Sequence, residues 1–155
     1  MSFRIRGLDP APFAHLYGLS DEALAEHGAE RYIADRPNAL PDRITMRDAE
    51  SGEAMILLNH TYQTAKSPYF GTHAIFVKEG ATETYEAVDE IPPVMAHRLL
   101  SLRGFDETHK IADGRVVEGR DAAETINEMF ENPAIRYIHA HNAGHGCYSG
   151  LIERA

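Results

Sequence analysis

Only one stretch of this chain carries a full helical apolar stripe, and that scarcity decides the fold class. After Asp121, the apolar residues Ala123, Ile126, Met129 and Phe130 recur at helical spacing, and Asn132-Pro133 ends the pattern. Glu124, three residues beyond Asp121, gives an acid-initiated form of the capping box. Two shorter helices have local signatures. Ser20 is placed to cap a helix from Asp21 to about His27, with Asp21 and Glu22 at the positive end of the dipole and Gly28 as a left-handed stop. Pro92-Pro93 opens a third that runs through His97.

Most other apolar runs are short and read as strand. Arg43 to Arg47 alternates, with Ile44 and Met46 inward and Arg43, Thr45 and Arg47 outward. Ala54 to Asn59 and Ala74 to Val77 are apolar on both faces, which predicts strands at a sheet centre. Leu99 to Phe105 and Lys110 to Val117 flank the polar turn Asp106-Glu107-Thr108, and Ile135 to His141 and Cys147 to Glu153 form a last pair. The two prolines of Arg36 to Asp42 mark a loop, and no repeat, charge block or linker divides residues 1–155. The expectation is a single α+β domain. Its sheet is mainly antiparallel, with one well-marked amphipathic helix and one or two short ones.

A chain of 155 residues buries roughly 70% of its unfolded surface, so it folds without a metal or disulfide staple. Fifteen basic against twenty-four acidic side chains give a net charge of −9, a field that repels phosphate backbones and anionic membranes. Nucleic acid and membrane are therefore not expected as partners. One cysteine, Cys147, allows no internal disulfide, and the first residues lack the apolar core of a signal peptide. The cytoplasm is the expected compartment. Dinucleotide fingerprint, P-loop, His-Glu-x-x-His and nucleophile-elbow motifs are all missing, so no cofactor is predicted from motifs.

Chemistry concentrates near the C-terminus, where His139, His141 and His145 precede Cys147. If Asn142 to Gly146 connects a hairpin closed by His141 and Cys147, those two lie opposite one another with Cβ atoms about 4.5–5.5 Å apart. Alternation then places His139 opposite Ser149 on the same face. Three readings follow. The first is nucleophilic catalysis by Cys147 with His141 as its base and Asn142 or His139 orienting the ring. In the second, a divalent metal is held by His139, His141 and either His145 or Cys147. The third is a buried cysteine and semi-buried histidines with no chemical role. Leu58 to His73 is a second region, read as an aromatic-rich loop with His60 and His73 at its base and Tyr62, Tyr69 and Phe70 as flat surfaces for a small-molecule ligand. Arg98 and Arg103 are candidates to pair with an anionic group, or with the protein's own carboxylates.

Several blocks in order along the chain carry a family resemblance: Arg47-Asp48-Ala49 with Gly52-Glu53, Leu57-Leu58-Asn59-His60, Ser67-Pro68-Tyr69, His73 to Val77, Arg98 to Arg103, and His141-Asn142-Ala143 with Gly146-Cys147-Tyr148. From about residue 40 to the C-terminus the chain resembles the bacterial domain of unknown function 1203 family. That resemblance implies no activity, and it assigns no catalytic residue. It falls on the same two regions that the chemistry singles out, which suggests one cleft lined by His60, His73, His141 and Cys147. A non-catalytic interaction module is the alternative, a homo-oligomer pairing through a sheet edge or through Tyr69-Phe70.

Overall fold

A computed structural model describes residues 1–155. In chain order the elements are β1 (Phe3–Arg6), α1 (Asp21–Glu26), β2 (Glu30–Ile33), β3 (Ala54–Gln63), β4 (Gly71–Lys78), β5 (Glu86–Val88), α2 (Pro93–Ala96), β6 (Leu99–Phe105), β7 (Ile111–Glu118), α3 (Ala122–Phe130), β8 (Tyr137–Asn142) and β9 (Tyr148–Arg154). Six strands form one sheet in the order β5-β1-β9-β8-β6-β7, and β2-β3-β4 form a second. Every pairing is antiparallel, which makes this an α+β domain.

Alternation along β8 sorts its side chains between two layers. Ile138 and Ala140 face α3, which buries Ala122, Ile126, Met129 and Phe130 against Leu100, Leu102 and Ile152. Each aliphatic or aromatic side chain buried there contributes about 1.5–3 kcal/mol. The opposite face is covered by the small sheet, whose inward residues Ile56, Leu58, Ile75 and Val77 pack with Tyr148. His139 and His141 lie on that side, between the sheets.

Most helix signals hold. Ser20 Oγ accepts from the Ala23 N–H at 3.1 Å and caps α1, and Gly28 follows at φ +70°. The capping box at Asp121 does not form. A 3₁₀ turn over Gly119–Asp121 leads into α3, and the Asp121 side chain makes no capping bond.

Arg43 to Arg47 is a tight turn rather than a strand. Asp42 Oδ1 accepts from the Ile44 and Lys78 N–H groups at 3.0 and 2.8 Å, and Oδ2 accepts from the Thr45 N–H at 2.8 Å. Met46 sits at φ +58°, and Ile44 and Met46 are still buried. An aspartate offering local bonds competed successfully with extension. The Leu58 to His73 loop also shrinks. Strands β3 and β4 extend to Gln63 and from Gly71, so His60, Tyr62 and His73 are strand residues. Strand β4 is an edge rather than a centre, and it alternates buried and exposed positions.

Candidate functional site

The closing hairpin departs from the expected register by one residue at His141 and by two at His139. A β-bulge between Ala140 and His141 pairs Ala140 with Gly150 but His141 with Tyr148. Ser149 is the extra residue, and His139 faces Leu151. Cys147 lies outside β9, where its carbonyl accepts from the Asn142 N–H at 2.9 Å and Gly146 turns the chain at φ +80°. The expected thiol–imidazole patch is thereby corrected. The two imidazoles share a face, with ring centroids 6.4 Å apart, but Tyr148 takes the cysteine's place beside them, 5.4 Å from His139 and 5.7 Å from His141.

Burial sets the state of this cluster. His141 donates from Nδ1 to the Gly146 carbonyl at 2.9 Å, and its Nε2 is sealed with no partner. Neither nitrogen bonds the Cys147 sulfur, so His141 is not the base of a Cys147 pair. Loss of hydration pushes His141 down to about 4, against the raising effect of its bond to Gly146. His139 is pushed down to about 3, first by burial and then by the charges of His141 and Arg103. Tyr62 packs edge-on against His141 at 4.8 Å and stacks on Tyr148 at 5.8 Å. His60, register partner of His73, lies 5.9 Å from Tyr148, and burial followed by the charge of Arg43 lowers it too.

Cys147 instead lines a cavity of about 440 Å³ between the hairpin, the open edge of β4 and the 39–43 segment. Arg43, His73, Arg98, Asn142 and His145 share it. The Asp42 turn sends the Arg43 side chain inward, where it is 1% exposed. Its Nε donates to the Tyr148 carbonyl at 2.8 Å and Nη1 to the Pro41 carbonyl at 2.7 Å, and no carboxylate pairs with it. Burial lowers its affinity for a proton, and the charge of Cys147 is the largest influence opposing that. Arg98 is fully engaged: Nη2 meets Asp48 Oδ1 at 2.6 Å and Nη1 the Val94 carbonyl at 2.7 Å. Burial raises the Asp48 carboxyl, but bonds from Arg98 and His97 outweigh it and hold that group below the usual range. His73 donates from Nδ1 to the Ala74 carbonyl at 2.9 Å, which leaves a lone pair on Nε2.

A second cavity, about 350 Å³, opens at the other end of β8. Tyr62, Gln63, His109, Tyr137, His139 and Glu153 line it. The Tyr137 hydroxyl accepts from Gln63 Nε2 at 2.9 Å and lies 2.8 Å from His109 Nδ1.

The remaining candidates scatter. Tyr69 packs edge-on against Phe105 at 5.9 Å, and Phe70 stays exposed. Arg103 stands opposite His139 on β6, 3.4 Å from the Ser101 hydroxyl, and lines neither cavity. His60, His73, His141 and Cys147 do not line one cleft: His73 and Cys147 share a cavity, while His60 and His141 point between the sheets. The trio His139, His141 and His145 is split as well, since His145 belongs to the Cys147 cavity. No group of three or more His, Cys, Asp or Glu side chains is placed to hold a metal ion. Arg43, Tyr137 and Glu153 escaped the sequence reading; for Arg43 the missed signal was Pro41-Asp42 followed by Thr45, a turn-former with a hydroxyl three residues on.

The fold and site define a two-sheet α+β protein with a cavity at each end of a histidine-bearing strand. The chain belongs to the family described as "Protein of unknown function (DUF1203)", whose model matches residues 39–154. The match takes in every residue of both cavities named above. No curated protein and no solved structure matches the chain. No helix is long and apolar enough to cross a membrane.

Proposed function

We propose that the Cys147 cavity receives a small carboxylate-bearing ligand, with Arg43 as its counter-ion and the Cys147 thiol as the nucleophile beside it. One observation carries this reading: Arg43 is a buried cation with no carboxylate partner, bordering a cavity that no Asp or Glu lines. Several kcal/mol of lost hydration goes uncompensated when a charge is buried alone, so such a group is most stable with an anion beside it. Asp42 does not serve, because its oxygens hold the turn. A bidentate fork suits a carboxylate.

Two alkylating reagents of equal size test the reading. Iodoacetamide outpaces iodoacetate at an ordinary thiol, because the anion is repelled by the thiolate it must approach. At Cys147 the order should reverse, the iodoacetate rate should saturate with concentration, and acetate should protect. Arg43→Met should restore the ordinary order, and Arg43→Lys should keep part of the preference. A faster neutral reagent with no protection by acetate, read on the wild-type chain and so independent of any folding defect, would overturn the proposal.

A further inference from the structure

The second cavity lies apart from the Cys147 chemistry, and its lining differs in sign. Its floor comes from two strands in register: Tyr137 lies opposite Glu153 and His139 opposite Leu151, pairs whose Cβ atoms stand about 4.5–5.5 Å apart. Its roof is the end of β3 and the two residues after it, from Tyr62 to Ala65. Glu153 is the only side chain of fixed charge in the lining, which holds no Arg or Lys. The nearest cation to that carboxylate, Arg6, approaches only to 4.0 Å.

His139 is the feature that marks a ligand site. It is 5% exposed and makes no hydrogen bond within the chain; Nδ1 is sealed, while Nε2 is not among the sealed atoms and the ring borders the cavity. A buried imidazole left without partners costs about 1–3 kcal/mol in lost hydration, which a ligand N–H reaching Nε2 would recover. Burial keeps this ring neutral, so it can accept a hydrogen bond at any physiological pH. Around it, the Tyr137 ring lies 5.2 Å away at 51° and the Tyr62 ring 6.3 Å away at 83°, giving aromatic surfaces on two sides.

We infer that this cavity binds a small planar organic cation of the amidinium type, with Glu153 as counter-ion, His139 Nε2 as acceptor and Tyr62 and Tyr137 as aromatic walls. An amidinium carries only donors, which suits an anion and a lone pair placed side by side. Its flat, delocalised charge also sits well against phenol rings. The site is independent of the proposal for Cys147, since no residue is shared between the two linings.

Benzamidine, benzamide and benzoate present one ring with positive, neutral and negative charge, and each is titrated into the isotope-labelled protein by NMR. Benzamidine should shift Tyr137, His139 and Leu151, and benzamide should bind the same residues about tenfold more weakly, a difference of about 1.4 kcal/mol. Benzoate should leave them unmoved. Glu153→Gln should cost benzamidine about tenfold. Glu153 is partly exposed, so the variant should keep its melting temperature, which separates lost binding from lost folding. His139→Phe should abolish the benzamidine shifts at Tyr137. Equal affinity for benzamide, binding of benzoate at these residues, an unchanged Glu153→Gln titration, or no shift at Tyr137 and His139 with any of the three would each overturn the inference.

Discussion

The two cavities share one strand and almost nothing else. At one end of β8, Arg43 and Arg98 line a space without a carboxylate; at the other, Glu153 lines a space without Arg or Lys. Arg43 is held by two backbone carbonyls and is sealed by a turn, whereas Glu153 stands near the end of β9 in partial contact with solvent. Burial decides how each charge acquires its specificity. A buried cation is costly enough to demand a partner, while an exposed carboxylate needs a neutral neighbour such as His139 to define direction. On the joining strand stand His139, which lines the second cavity, and His141; burial keeps both uncharged, so neither cavity feels a proton-dependent charge from that strand near neutral pH.

The largest expected effect breaks one cavity and spares the other. A Cβ on Gly7 would stand 2.2 Å from the Ile44 carbonyl oxygen, so the turn carrying Arg43 must move. Gly7→Ala should cost about 3 kcal/mol by urea titration and abolish the iodoacetate preference. The folded fraction should still bind benzamidine; loss of both would mean that the cavities are one cooperative unit.

Next comes the strand between them. His139 and His141 have proton affinities pushed down to about 3 and about 4 from the usual 6.5. Between pH 6.5 and 4 the unfolded chain therefore takes up protons that the native state refuses, and stability falls as pH falls. By pH 4 the loss should approach about 3 kcal/mol for each ring. His141→Gln should flatten the slope of unfolding free energy against pH by nearly one proton, and an unchanged slope would mean that the ring is hydrated.

The smallest effect contrasts the two carboxylates. Asp48 is almost wholly buried against Arg98, so Asp48→Asn should cost about 2 kcal/mol and loosen the Cys147 cavity. Glu153→Gln should change stability by less than about 0.5 kcal/mol, since its carboxylate is partly exposed. Equal costs in urea titrations of the two variants would erase the asymmetry.

Strands with strong apolar content were legible from the sequence. Leu99–Phe105 matches its expected bounds, and α3 lies where the Ala123, Ile126, Met129, Phe130 stripe puts it. Strands β1, β2 and β5 were not, because each has only three or four residues and two are half charged; they form by pairing with neighbours distant in sequence. At the site, the histidine pair on one face followed from alternation alone. The place of Cys147 did not, since the unpaired Ser149 lets Tyr148 take the position opposite His141 that plain alternation from Gly150 would refuse it, and nothing in Cys147-Tyr148-Ser149-Gly150 announces it.

The two residues between Cys147 and Gly150 also keep two kinds of reactivity from meeting. Excising Ser149 would restore plain pairing with Tyr148 still opposite His141, because Gly150 would stay on Ala140. Only loss of both Tyr148 and Ser149 would set Cys147 opposite His141, so hairpin length decides whether the sulfur answers to a guanidinium or to an imidazole.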